Sequence, residues 1–166
     1  AAYAQDEISL RAMMTKEEDG VARIRRMGAV TTRVAANVAD FLSAHKAKGD
    51  LLVDVEGSPV TIAQVKSRIN LLLAEAGAEN PEGAIFSMGR DAAFPHSSGN
   101  NADTLRLGQT IVFDLFPCEE GGGYFYDFTR TWCLGFAPDE ALAYYEDVRS
   151  VYRSIVSSLK LNLPFW

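Results

Sequence analysis

Cysteine is nearly absent: Cys118 and Cys133 are the two thiols in 166 residues, too few for a disulfide scaffold and in keeping with a reducing cytoplasm. Basic residues are also scarce. Sixteen Lys and Arg face 22 Asp and Glu, giving a net charge of −6, which withholds the cationic surface that a nucleic-acid backbone demands. A membrane span needs about 20 apolar residues, and the most apolar stretch, Thr110 to Cys118, is interrupted by Asp114; a soluble protein is expected. Ala1 to Leu10 carry Asp6 and Glu7 and lack the basic-then-apolar order of a secretory signal. There is no internal repeat and no low-complexity tract. The remaining balance, 48% hydrophobic and 23% charged, suits one compact domain.

Residues 1–14 show no clear period and read as a linker or the tail of an upstream segment, leaving 15–166 as the domain. Thr15 with Glu18 fits a capping box, and Val21, Ile24, Met27, Val30, Val34, Val38, Phe41 and Leu42 recur at helical steps, predicting an amphipathic helix to about Lys48–Gly49. Gly28 within it is a small cost. A second helix is predicted from Thr61, boxed by Gln64, to Gly77. Beyond the Asn80–Gly83 turn the pattern becomes extended: Ala84–Ser87 is a short strand, and Gly89–Asn101 is a turn-rich loop holding His96. Thr110–Cys118 and Tyr124–Cys133 are β-branched and aromatic, and Glu119–Gly123 between them predicts a hairpin. From Asp139, Leu142, Tyr145, Val148, Val151, Tyr152, Ile155 and Val156 predict a helix with one buried face, fading at Asn162–Pro164. The fold class is therefore α+β, an antiparallel sheet with a central hairpin against two or three amphipathic helices.

Asp114 and Asp127 interrupt the two hairpin strands. Taking an ionised carboxylate out of water costs several kcal/mol unless it is paired or bound to a cation. With a four-residue turn at Glu119–Gly122, Asp114 falls directly opposite Asp127, side chains on one face and Cβ atoms about 4.5 to 5.5 Å apart. A divalent metal reconciles the two charges; oxygen ligands suit Mn²⁺ or Mg²⁺, and Zn²⁺ or Co²⁺ if an imidazole joins. The competing readings are surface or edge carboxylates, one of them paired with Arg130, and a one-residue slip that separates the faces. His96 reads as a functional loop histidine or one bonded to its surroundings, and His45 as a helix C-terminal residue. The cysteines read as unpaired, and the aromatic cluster around Phe113 and Trp132 mainly as core. Gly121–Gly123 is a turn, not a phosphate loop, and Arg23–Arg26 a solvated helix face.

Three segments together, Phe94–Asn100, Leu107–Pro117 and Gly123–Trp132 with its Thr129-Arg130-Thr131 after the second Asp, resemble the amino-terminal half of the catalytic domain of pita-bread metallopeptidases, specifically the Xaa-Pro aminopeptidase and prolidase branch. The Lys16-Glu17-Glu18 helix start resembles the opening of that domain. The resemblance implies half of a pita-bread fold and two metal ions per complete site, Mn most of all, Co or Zn otherwise, that activate a water against the bond preceding proline. By position it makes Asp114 a ligand of one metal, Asp127 the carboxylate bridging both, and His96 the substrate-contacting catalytic histidine beside Phe94. It also implies a further His and two Glu from a second half, whereas no histidine follows His96 here; the chain is expected to be inactive alone, whether or not it binds metal. The expected partners are a peptide with proline second and either another copy of the chain, as a homodimer, or a complementing second half. The alternatives are a non-catalytic peptide- or protein-binding assembly module and a methionine aminopeptidase-like enzyme.

Overall fold

A computed structural model describes residues 7–161. In chain order these form α1 (Glu7–Met14), α2 (Glu18–Ser43), β1 (Lys46–Lys48), β2 (Leu51–Val53), α3 (Ile62–Glu75), β3 (Ala78–Glu79), β4 (Ala84–Met88), a 3₁₀ turn at Asp91–Ala93, β5 (Thr110–Leu115), β6 (Cys118–Glu119), β7 (Phe128–Cys133) and α4 (Asp139–Ser158). The segment without a clear period is thus partly the short helix α1, whose side chains from Ile8 onward are exposed.

α2 begins at Glu18 with Glu17 as its N-cap and no side-chain cap bond, so the Thr15–Glu18 box does not form. Thr15 lies too far ahead of the first helical turn, while Glu18 and Asp19 still complement the positive end of the dipole. The helix ends at Ser43 rather than near Gly49, because Lys46–Lys48 turns back to pair antiparallel with Leu51–Val53. The α3 box does form: Thr61 Oγ1 accepts from the Gln64 N–H at 3.3 Å, and Gln64 Oε1 accepts from the Thr61 N–H at 2.7 Å. Its stop is Gly77, with φ of 65°.

The main sheet is antiparallel in the order β4-β5-β7, and β3 pairs separately with β6. Along β5 the alternation decides the layers. Ile111, Phe113 and Leu115 are fully buried, whereas Thr110, Val112 and Asp114 lie on the opposite face. The buried face packs with Phe86 against Val34, Val38 and Leu42 of α2 and Val65, Ile69 and Leu73 of α3. Phe113 meets Phe86 and Trp132 with ring centroids 5.6 and 5.0 Å apart; of the aromatic cluster Phe113 is buried in the core, Tyr126, Phe128 and Trp132 pack half-buried against it, and Phe125 is exposed. Each fully buried side chain contributes about 1.5 to 3 kcal/mol by leaving water.

α4 departs from expectation. It forms at Asp139 and ends at Ser158, yet none of its residues is buried. Its spacing is amphipathic, but no described element covers the apolar stripe. The expected fade at Asn162–Pro164 lies outside the described residues.

Candidate functional site

The open face of the sheet carries Val112 and Asp114 from β5 and Thr129 and Thr131 from β7. Asp114 faces Thr129, not Asp127, and Cys133 faces Thr110, not Gly108. The register is therefore two residues from the expected one. A shift of two preserves the face, because side chains alternate with period two, so both carboxylates still share it. The cause lies at Glu119, which is not a turn residue. It pairs with Ala78 in β6, and its carboxylate accepts from Arg23 Nη2 at 2.6 Å, Arg26 Nη2 at 2.6 Å and the Tyr124 N–H at 3.1 Å. The turn moves forward by one residue, closed by the Glu119 N–H to the Tyr124 carbonyl at 3.3 Å. Arg23 and Arg26 are accordingly not a free solvated face: they hold the hairpin to α2. The Arg23 guanidinium, the backbone N–H of Tyr124 and Arg26 bring the Glu119 carboxyl down to about 2.

Asp127 sits one residue ahead of β7, diagonal to Asp114, and the two carboxyl groups meet. Partial desolvation first, then the hydrogen bond and charge of Asp114, hold the Asp127 carboxyl above its ordinary range, opposed by the Phe128 N–H. Thr129 Oγ1 donates to Asp114 Oδ1 at 2.6 Å. Arg130 does not salt-bridge either aspartate among the described residues. Its Nη1 donates to the Thr129 carbonyl at 2.7 Å and its guanidinium lies 3.8 Å from the Phe128 ring centre.

His96 comes from the loop between β4 and β5, and it is the one non-glycine residue with positive φ (61°) among the described residues. Such a conformation costs about 1 to 2 kcal/mol in an L residue, so the surrounding chain must impose it. The Phe86 N–H donates to the Ser98 carbonyl at 3.3 Å, and a Cβ at Gly99 would strike the Phe86 carbonyl oxygen. Farther on, the Ile62 and Ala63 N–H groups donate to the Asp103 and Asn101 carbonyls at 2.9 and 3.0 Å. The loop is stitched at both ends, with His96 exposed on it. Phe94 is 54% exposed, its ring 6.0 Å from the Arg90 guanidinium.

The structure thus brings Asp114 and Asp127 together, and no third His, Cys, Asp or Glu joins them to form a metal-binding group among the described residues. His45 caps the end of α2 by its Nδ1 contact with the Phe41 carbonyl at 2.7 Å, away from this face. Both cysteines are free. Thr129 is the residue that sequence reasoning leaves without a role, since its bond to Asp114 follows only from the register.

The family model for metallopeptidase family M24 matches residues 22–166. A protein named "Probable dipeptidase PepE" from Mycobacterium tuberculosis is 25% identical over 154 residues, which cover 93% of this chain and 37% of that protein. Among solved structures, dipeptidase PepE from Mycobacterium ulcerans superposes with a TM-score of 0.70 at 25% identity, covering 90% of this chain and 36% of the other. The prolidase from Pyrococcus furiosus gives a TM-score of 0.72 at 18% identity, covering 91% and 40%. The β4-β5-β7 sheet backed by α2 and α3 is therefore the pita-bread half-fold. With that fold, and with a family match over most of its length, this chain belongs to metallopeptidase family M24 and spans well under half the length of these relatives.

Proposed function

We propose that this chain supplies the two-carboxylate side of a metal-dependent site that hydrolyses the peptide bond preceding proline, as an Xaa-Pro aminopeptidase or dipeptidase. The observation that carries the reading is the meeting of Asp114 and Asp127 on the open sheet face in a member of a metallopeptidase family. Two hard oxygen donors on facing segments fit a divalent cation, which relieves their mutual repulsion. Mn²⁺ is the first choice, with Co²⁺ or Zn²⁺ next. Such ions, two in a complete site, would supply a nucleophilic water at neutral pH. Asp114 would hold one ion and Asp127 bridge both. His96, on its stitched loop, would contact the substrate and steady the charge developing at the carbonyl, with Phe94 offering an apolar surface to the peptide. Two donors do not close a coordination shell, so the chain by itself is inactive in this reading and works only when complemented.

A second copy is the partner we favour. Tyr145, Val148, Tyr152, Ile155 and Leu159 step by three and four along α4 and its C-cap, and each is more than half exposed, the spacing of a helix-pairing seam. Asp139, Glu140, Glu146 and Asp147 precede Arg149 and Arg153, so two antiparallel copies would set acid against base.

The test is a titration of chelator-stripped protein with Mn²⁺, followed by assay on Ala-Pro and Xaa-Pro-Xaa peptides. Binding at micromolar concentration or tighter, lost in Asp127→Asn, and hydrolysis abolished by chelator are expected for the assembly. Peptide or protein binding indifferent to chelator would instead establish the non-catalytic module. Preference for Met-Xaa over Xaa-Pro peptides would transfer the chain to the methionine aminopeptidase type.

A further inference from the structure

The carboxylate of Asp114 is held by a neutral donor. Thr129 stands directly across the ladder from it, and the Oγ1 to Oδ1 separation of 2.6 Å is that of a charge-assisted O–H···O⁻ bond. Threonine is suited to the task because its branched Cβ limits χ1 on a strand, so the backbone ladder sets the direction of the hydroxyl. The cation that could have taken the same role is turned away, since Arg130 spends its guanidinium on the Thr129 carbonyl and the Phe128 ring. An arginine there would neutralise Asp114 and weaken it as a ligand. A hydroxyl fixes the plane of the carboxylate while leaving its charge and most of its lone pairs free.

We propose that Thr129 is a positioning residue that orients the Asp114 carboxylate for a divalent cation held with Asp127. This rests on the metal-site reading above. Partners of this kind, one bond removed from a ligand, are worth about 10- to 100-fold in metal affinity. Two neighbouring variants make the inference specific. Thr129→Ser keeps the hydroxyl, and Thr131→Val removes an equivalent hydroxyl two residues along the same face, opposite Val112 rather than Asp114.

The experiment is calorimetric titration of the chelator-stripped full chain with Mn²⁺ alone, each variant checked for unchanged circular dichroism. Thr129→Val is expected to bind about tenfold more weakly than wild type, with Thr129→Ser and Thr131→Val close to wild type. Equal affinity of Thr129→Val and wild type would overturn the positioning role while leaving the metal site intact. Equal losses in all three variants would overturn it as well, by showing a general effect on the sheet. A wild-type chain without saturable binding would overturn this role for the chain by itself, because Asp114 and Asp127 would then be only half of a cation site.

Discussion

At the scale of single residues, the charges of this domain fall into two kinds. Glu119 is a structural carboxylate, its side chain 9% exposed between two arginines. Its carboxyl lies near 2 in the folded chain against an ordinary 4.5. A depressed acid contributes stability that is present above the unfolded value and is lost as pH falls toward the folded one. Acid should therefore loosen the hairpin between about pH 4.5 and 2, and Glu119→Gln should flatten that limb of a pH-unfolding curve monitored by tryptophan fluorescence. Asp114 and Asp127 are the other kind, carboxylates turned toward each other without an arginine between them, an arrangement with no structural benefit of its own. His96 presents the same contrast in its backbone. Replacing it by glycine removes the left-handed strain, so His96→Gly should melt no lower than wild type and, under the proposed function, should cost the complemented assembly its Xaa-Pro hydrolysis; a lower melting temperature would show that the imidazole is structural.

At the scale of elements, the hairpin is aimed by its contact with α2. Two glycines of that helix receive two tyrosines of the hairpin: a Cβ on Gly20 would lie 2.7 Å from the Tyr124 hydroxyl, and one on Gly28 2.7 Å from the Tyr126 ring. Gly28 is thus a slot rather than a simple cost to the helix. Alanine in an exposed helix is worth up to about 1 kcal/mol over glycine, but overpacking costs about 1 to 3 kcal/mol. Gly28→Ala should therefore destabilise the domain by about 1 kcal/mol, and adding Tyr126→Leu should cancel much of the loss in a urea double-mutant cycle. A Gly28→Ala variant more stable than wild type would mean that Tyr126 is free to move aside.

At the scale of the whole molecule, the apolar surface divides into a core shared by α2, α3 and the sheet, and the uncovered stripe of α4. Because no α4 residue is buried within the chain, Val148→Glu with Tyr152→Glu should leave the urea midpoint unchanged where the chain is monomeric and lower it at concentrations where the proposed dimer forms. If two copies pair through α4 as proposed, the same variant should shift sedimentation from dimer to monomer. A wild-type chain that is monomeric at every concentration would assign the stripe to a complementing second half instead. No described helix is long and apolar enough to cross a membrane, which agrees with the interrupted hydrophobic runs of the sequence.

Local signals are legible in the sequence by itself. The α3 box at Thr61–Gln64, the stop at Gly77 and the start of α4 at Asp139 each depend on residues a few positions apart, where hydrogen bonding is governed by local geometry. The shared face of Asp114 and Asp127 is legible too, since period two survives an even register shift. What faces Asp114 is not. That depends on Glu119 joining a strand with Ala78 and an ion pair with Arg23, residues 41 and 96 positions away, and no hairpin rule contains partners so distant. The exposure of α4 escapes the sequence for a related reason: an amphipathic period shows that a helix has a face to cover, and only the tertiary structure shows whether anything covers it.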